Sequence, residues 1–300
     1  MSKLLPILAV LLLFACNNDD DNFEQLIDEL TPETALITNE RTGTVAVVYQ
    51  DLLNTLNQSG PPEVALQIDH ASNAASIDQE LPPARVVYFG NPEVGTPLMQ
   101  ANRAVGIELP LRMMVYQDDA ERTLVTYRNA TYLMRTYDID RPTLEENTNQ
   151  LLANLAQREN PEPFQNISYD FADNLINRTS NFEFAETVSR AKQSIADLGL
   201  NLVLEFDHAA NAETVDLDLQ PTTLLVFGNP TVGTQLMRDQ IETGYDLPLR
   251  LLVWENDGTT FVSYYNGTDL ANRYGVEDQS SAVASINNTL LAIRQAATGE

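Results

Sequence analysis

The chain contains two histidines, His70 and His208, and they stand in nearly the same surroundings. IDHASNAASID occupies 68–78 and FDHAANAETVD occupies 206–216. Imidazole can move protons near neutral pH or ligate a metal. One aspartate and one histidine per segment fall short of a zinc site unless the two segments pool their ligands. An adjacent Asp and His cannot form a triad by themselves, and no repeated serine lies beside them in sequence. Two roles stay open. His70, Asn73, His208 and Asn211 contact a ligand, with His70 or His208 as acid/base in an enzymatic variant of that role. Alternatively, Asp69 and Asp207 cap a short helix and each histidine packs at its first turn.

A second pair of segments invites a different chemistry. FGNPEVGTPLM at 89–99 and FGNPTVGTQLM at 227–237 hold the G-x-x-x-x-G spacing of a phosphate loop. Thr96 and Thr234 stand where that loop needs its lysine, and Pro92 and Pro230 each remove a backbone donor. The stretch therefore reads as backbone geometry. Asn91 and Asn229 cap a first turn with proline next, and Thr96 and Thr234 cap the helix proper. Gly95 and Gly233 supply angles that side chains forbid. A weaker anion site survives: free N–H groups at a helix start, with charge from Arg112 or Arg250 just after each LPL. Asn91, Arg112, Asn229 and Arg250 complete the candidate ligand-binding set. No cofactor motif is present, and the metal question stays open on the histidines.

These residues fall in register because the chain is written twice. Displaced by 138 residues, 25 of the 60 positions from 68 to 127 are identical, with Tyr127 placed on Tyr265. The organisation expected is a lipoprotein signal peptide at 1–15, an acidic polar tether at 16–41, and repeats at 42–157 and 182–298 joined by a linker at 158–181. Period and turn residues predict opening strands at 44–48 and 181–185, then an amphipathic helix. After these come a strand, a short helix at HASNAAS or HAANAET, and a strand ending in FG. The GNP helix follows, then an antiparallel hairpin and a closing helix. The expected class is α+β: two tandem copies of a two-layer domain, each an antiparallel sheet with helices packed on one face.

The amino terminus and the charge bound the partners. An apolar run at 4–15 is too short to span a bilayer and has the build of a signal peptide. LFAC at 13–16 resembles a bacterial lipobox, which implies cleavage before Cys16 and a diacylglycerol on its sulfur. The expected partner is thus the membrane, reached through lipid on Cys16, with the chain held at the bacterial envelope, outer membrane favoured. Cys16 is the sole cysteine, so no disulfide can form within the chain. A net charge of −26 excludes nucleic acid, whose binding rests on cationic contacts to phosphate.

GNP-x-x-G-T-x-L-M after a strand, followed by a strand opening on D-L-P-L or E-L-P-L, resembles the domain-of-unknown-function 302 family. Both copies carry the pattern. The resemblance implies a two-layer domain similar to the TATA-binding-protein-like fold, with a helix pair on one face of an antiparallel sheet, and it implies no activity. The functional expectation is a non-catalytic, lipid-anchored module that binds a small molecule or a protein partner. The alternatives are an envelope enzyme using His70 or His208, and a structural or assembly protein.

Overall fold

In the computed structural model, which describes residues 30–31, 35–58, 60–157, 174–276 and 280–300, strands and helices follow one another in the same order twice, save for one short extra strand at the start of the first pass. The first pass runs β1 (Leu30–Thr31), β2 (Leu36–Arg41), α1 (Val45–Gln58), β3 (Glu63–Asp69), α2 (His70–Ala75) and β4 (Ala84–Gly90). It continues through α3 (Pro92–Ala101), a 3-10 turn (Arg103–Glu108), β5 (Leu111–Gln117), β6 (Thr123–Tyr127), α4 (Ala130–Thr136) and α5 (Pro142–Ala156). The second runs β7 (Ile176–Thr179), α6 (Phe184–Asp197), β8 (Asn201–Asp207), α7 (His208–Glu213) and β9 (Thr222–Gly228). Then come α8 (Pro230–Asp239), a 3-10 turn (Ile241–Asp246), β10 (Leu249–Asn256), β11 (Thr259–Tyr264), α9 (Gly267–Tyr274) and α10 (Ser281–Thr298). The signal peptide, Cys16 and most of the expected tether and linker lie outside the described residues.

Both sheets are antiparallel, ordered β1-β2-β6-β5-β4-β3 and β7-β11-β10-β9-β8. The strands expected at 44–48 and 181–185 are not there. Residues 45–48 begin α1, because Val45, Val48, Tyr49, Leu52 and Leu56 recur at helical spacing and are all buried. The valines cluster as in a strand, but the longer period decides. The opening strands lie upstream instead. β2 pairs with β6, and β7 with β11, so each sheet draws in residues expected to be tether or linker.

Alternate strand residues face opposite sides of a sheet, and here both sides are buried. Val87, Phe89, Met113, Val115 and Tyr127 pack on α1 and α5. Their neighbours Val86, Tyr88, Met114 and Tyr116 share a core with Leu236, Met237, Tyr245 and Leu247 of the second repeat. Reciprocally, Leu224, Val226 and Leu252 pack on Leu98, Met99, Val105, Ile107 and Leu109 of the first. Each sheet therefore carries its own two long helices on one face and the other repeat's GNP helix and 3-10 turn on the other. Fully burying each such side chain stabilises by roughly 2 kcal/mol, so these shared cores hold the two repeats together.

The hairpins correct the alignment by one residue. Met114 faces Thr126, whereas its counterpart Leu252 faces Ser263. The first hairpin is thus one residue longer, and beyond it the offset becomes 137. Tyr127 matches Tyr264, and Arg128, not Tyr127, matches Tyr265. The ungapped alignment hid this because two tyrosines stand side by side at 264 and 265.

Candidate functional site

The sequence candidates come together across the repeats, not within them. One cleft, of about 120 Å³, sets His70 and Asn73 of the first repeat against Asn229, Pro230 and Gly233 of the second. The other, of about 610 Å³, sets His208 and Asn211 of the second against Asn91, Pro92 and Gly95 of the first. The two are related by the duplication. The smaller is narrowed by α10, whose Ser285, Ile286 and Thr289 reach its wall. Equivalent residues of α5 do not line the larger one.

At the inner end of each cleft a histidine ties the repeats together. His70 Nε2 lies 3.0 Å from the Gly244 carbonyl, and His208 Nε2 lies 3.2 Å from the Gly106 carbonyl. A carbonyl can only accept, so Nε2 carries the hydrogen and Nδ1 is left as the basic nitrogen. Both rings are buried, and burial drives their pKa down to about 4, against the opposing pull of the carbonyl bond and of Asp69 or Asp207. Such an imidazole is neutral at pH 7 with its one N–H committed, which makes it a poor proton donor. Asp69 and Asp207 cap the short helices, accepting from the backbone N–H of Ser72 at 2.9 Å and of Ala210 at 3.0 Å. Among the described residues, no group of three or more His, Cys, Asp or Glu could hold a metal ion.

The glycine stretches turn out differently from the phosphate and anion readings. One continuous helix starts at Pro92 or Pro230, with Asn91 or Asn229 as its cap. Thr96, Pro97 and Thr234 lie inside that helix and do not begin it. The first-turn amides are already used. Glu93 N donates to Asn91 Oδ1, and Val94 N and Gly95 N to the Asn91 carbonyl, at 2.9–3.0 Å. Thr231 N and Gly233 N repeat this on Asn229. Gly95 and Gly233 are absent from the residues with positive φ, so their smallness matters rather than their freedom. Each faces a cleft, where the missing side chain leaves room.

Arg112 and Arg250 line neither GNP loop. They turn into a buried cluster on the pseudo-twofold axis. Arg112 Nη2 bonds Glu108 Oε2 at 2.5 Å, and Arg250 Nη2 bonds Asp246 Oδ1 at 2.7 Å. Arg250 Nη1 also reaches Glu108 at 2.9 Å, and Arg112 Nη2 lies 3.6 Å from Asp246 Oδ1, which closes the ring across the repeats. Arg128 then clamps Asp246 with two bonds, at 2.8 and 2.7 Å, and the Tyr274 hydroxyl adds a third partner at 2.9 Å. Arg273 pairs with Asp269 at 2.7 Å and lies over the ring of Tyr265. Burial alone would raise the Asp246 carboxyl, but Arg128, Arg112 and Arg273 together hold it well below the ordinary carboxylate range. The cluster's acids escaped sequence reasoning. The signal was present, since Glu108 and Asp246 each stand four residues before a repeated arginine. Arg128, Asp269 and Arg273 are not repeated and left no such trace.

Fold and clefts together define a fused pair of α+β repeats that share their interface sites. The chain belongs to the family described as Domain of unknown function DUF302, whose model matches residues 37–160 and 176–293, most of its length. It is 34% identical over 126 residues to the Fluoride-specific ion channel FluC 1 of Brucella suis biovar 1, covering 41% of this chain and 50% of that protein. A protein of the same name in Brucella abortus biovar 1 is also 34% identical over 126 residues, 41% of this chain and 47% of its own. The chain thus spans about half the length of the curated relatives it matches. Among solved structures, a DUF302 protein from Bacillus stearothermophilus aligns at 22% identity with a TM-score of 0.37, covering 40% of this chain and 94% of that one.

Proposed function

We propose that this chain is a non-catalytic, lipid-anchored binding module of the bacterial cell envelope whose ligand occupies the larger cross-repeat cleft. The observation that carries the reading is that cleft itself. Its volume of about 610 Å³ lies within the range of small-molecule sites, roughly 300–1,000 Å³. Its wall is mainly apolar, with a few polar groups contributed by both repeats. The histidine at its inner end is held neutral and bonded to the partner repeat, which suits a rigid wall better than a proton relay. The channel in the names of the Brucella relatives belongs to proteins of which this chain matches about half the length. No helix among its described residues is long and apolar enough to cross a membrane.

Thr214 is exposed and lines the larger cleft, so Thr214→Trp should fill the opening without touching the core. Native mass spectrometry of gently purified protein is expected to show a bound small molecule that this variant loses. Added back at a hundredfold its Kd, that molecule should stabilise the protein by about 2.7 kcal/mol. A ligand retained by Thr214→Trp would place binding elsewhere.

The anchor rests on the apolar run at 4–15 and the lipobox-like LFAC ending at Cys16. In a bacterial host, radiolabelled palmitate should enter the protein, and Cys16→Ser should abolish the label and release the chain from the membrane fraction. A variant still labelled and membrane-bound would overturn the anchor.

A further inference from the structure

The two clefts descend from one sequence, yet their rims differ in charge. Glu63 and Glu93 line the larger cleft; their counterparts in the second repeat are Asn201, which lines the smaller cleft, and Thr231, between its lining residues Pro230 and Val232. The two carboxylates belong to the same end of the sheet. Glu63 opens β3 directly opposite Gly90, the last residue of β4, and Glu93 lies in the first turn of α3 immediately beyond. Both residues are exposed, and neither carboxylate has an ion-pair partner among the described residues, though arginine is available elsewhere in the chain. No lysine or arginine lines this cleft. Below the rim the wall is apolar, with Val94, Met99, Leu109, Leu111 and Phe206.

We propose that the larger cleft selects organic cations: a primary or quaternary amine carried on an apolar body. The ammonium group sits between Glu63 and Glu93, and the body lies against Met99, Leu109 and Phe206. This rests on the binding reading above and adds the ligand's charge to it. One effect opposes a cation here, the positive end of the α3 dipole. That end is worth about half a charge, and its amides are already bonded to Asn91. Two whole negative charges outweigh it. The net charge of −26 adds a long-range potential of the same sign, screened beyond about 8 Å at physiological salt.

Three probes sharing one body test the proposal: phenethylamine, phenethyl alcohol and phenylacetate, each titrated calorimetrically into the full chain at pH 7. The expected order is amine over alcohol over acid, with the amine favoured about tenfold over the alcohol, a reasonable sum for two partly exposed charge contacts. Higher salt should narrow that gap. Glu63→Asn with Glu93→Thr copies the second repeat's residues at two exposed positions, so the fold is kept and the preference should vanish. Glu93→Gln alone should reduce it part of the way. Equal binding of amine and alcohol, or a preference that survives the double substitution, overturns the charge selection and leaves the cleft reading standing. Amine binding that persists in Thr214→Trp shows the amine held elsewhere and also overturns the proposal. Failure of all three probes to bind overturns the proposal and counts against the cleft as a ligand site as well.

Discussion

Asp246→Asn will lower folding stability by about 3–5 kcal/mol, the cost of removing one partner from a buried ion-pair network. The substitution keeps the shape and deletes the charge. In the folded chain Asp246 receives two bonds from Arg128, one from Arg250 and one from the Tyr274 hydroxyl. Four buried guanidiniums, of Arg112, Arg128, Arg250 and Arg273, face three buried carboxylates, of Glu108, Asp246 and Asp269. Taking one carboxylate away leaves cations in a dry interior with too little to balance them. An amide oxygen can still accept, but its nitrogen would be turned toward donors. Urea denaturation at pH 7 measures the effect as a shift in midpoint. Substituting Glu186, whose pair with Arg190 is solvent-exposed, should change little by comparison. A midpoint for Asp246→Asn as close to the parent's as that of the Glu186 variant would show that the cluster does not hold the repeats together. A network of this kind is poor grounds for net stability over an apolar core. Glu108 Oε1 and Arg112 Nη1 indeed lack hydrogen-bond partners among the described residues. Removing half of a pair is nevertheless expensive.

Acid should weaken the protein well before its carboxylates titrate. His70 and His208 have folded pKa values of about 4 against an ordinary 6.5, because burial disfavours the charged ring. Between those values the unfolded chain binds more protons than the folded one, so stability falls as pH falls. The contribution is fully present above pH 6.5 and is lost as pH drops to about 4, below which both states are protonated. A shift of this size is worth about 3 kcal/mol per histidine at most. The Asp246 contribution behaves in the same sense but lower down. It is present above the ordinary carboxylate pKa and goes only in stronger acid, so the two windows separate. Stability measured at pH 7 and pH 4.5 should differ by several kcal/mol in the parent chain. In a His70→Gln, His208→Gln variant the slope across that window should flatten, since glutamine can donate to the same carbonyls without titrating. An unchanged slope would move the acid sensitivity to other groups.

Much of the fold was legible because duplication checks itself. A strand, turn or cap that appears twice at one offset is hard to mistake, and the FG strands, the short DHA helices, the asparagine caps and the hairpins all stand where periodicity places them. The first helix of each repeat was misread at its start, since valines at 45, 47 and 48 favour a strand locally while burial at 45, 48, 49, 52 and 56 follows a helix. Pairing between repeats was not legible. His70 and Asn91 belong to one repeat and could be expected to meet; instead each joins its opposite number's partner. Nothing in one copy's sequence states which face of its sheet a second copy will cover. The arginines after LPL carried a similar ambiguity, because a repeated charge reads as a surface or a ligand site until the acid four residues earlier is weighed with it.

The exchanged histidine contacts also bear on how such a molecule can change over time. Two identical chains meeting about an axis must present the same lining at both ends, and any substitution appears twice. A single gene product holding both halves escapes that constraint: one opening can be remodelled while its twin stays as it was. Glutamates at one mouth and neutral side chains at the other are what that freedom permits.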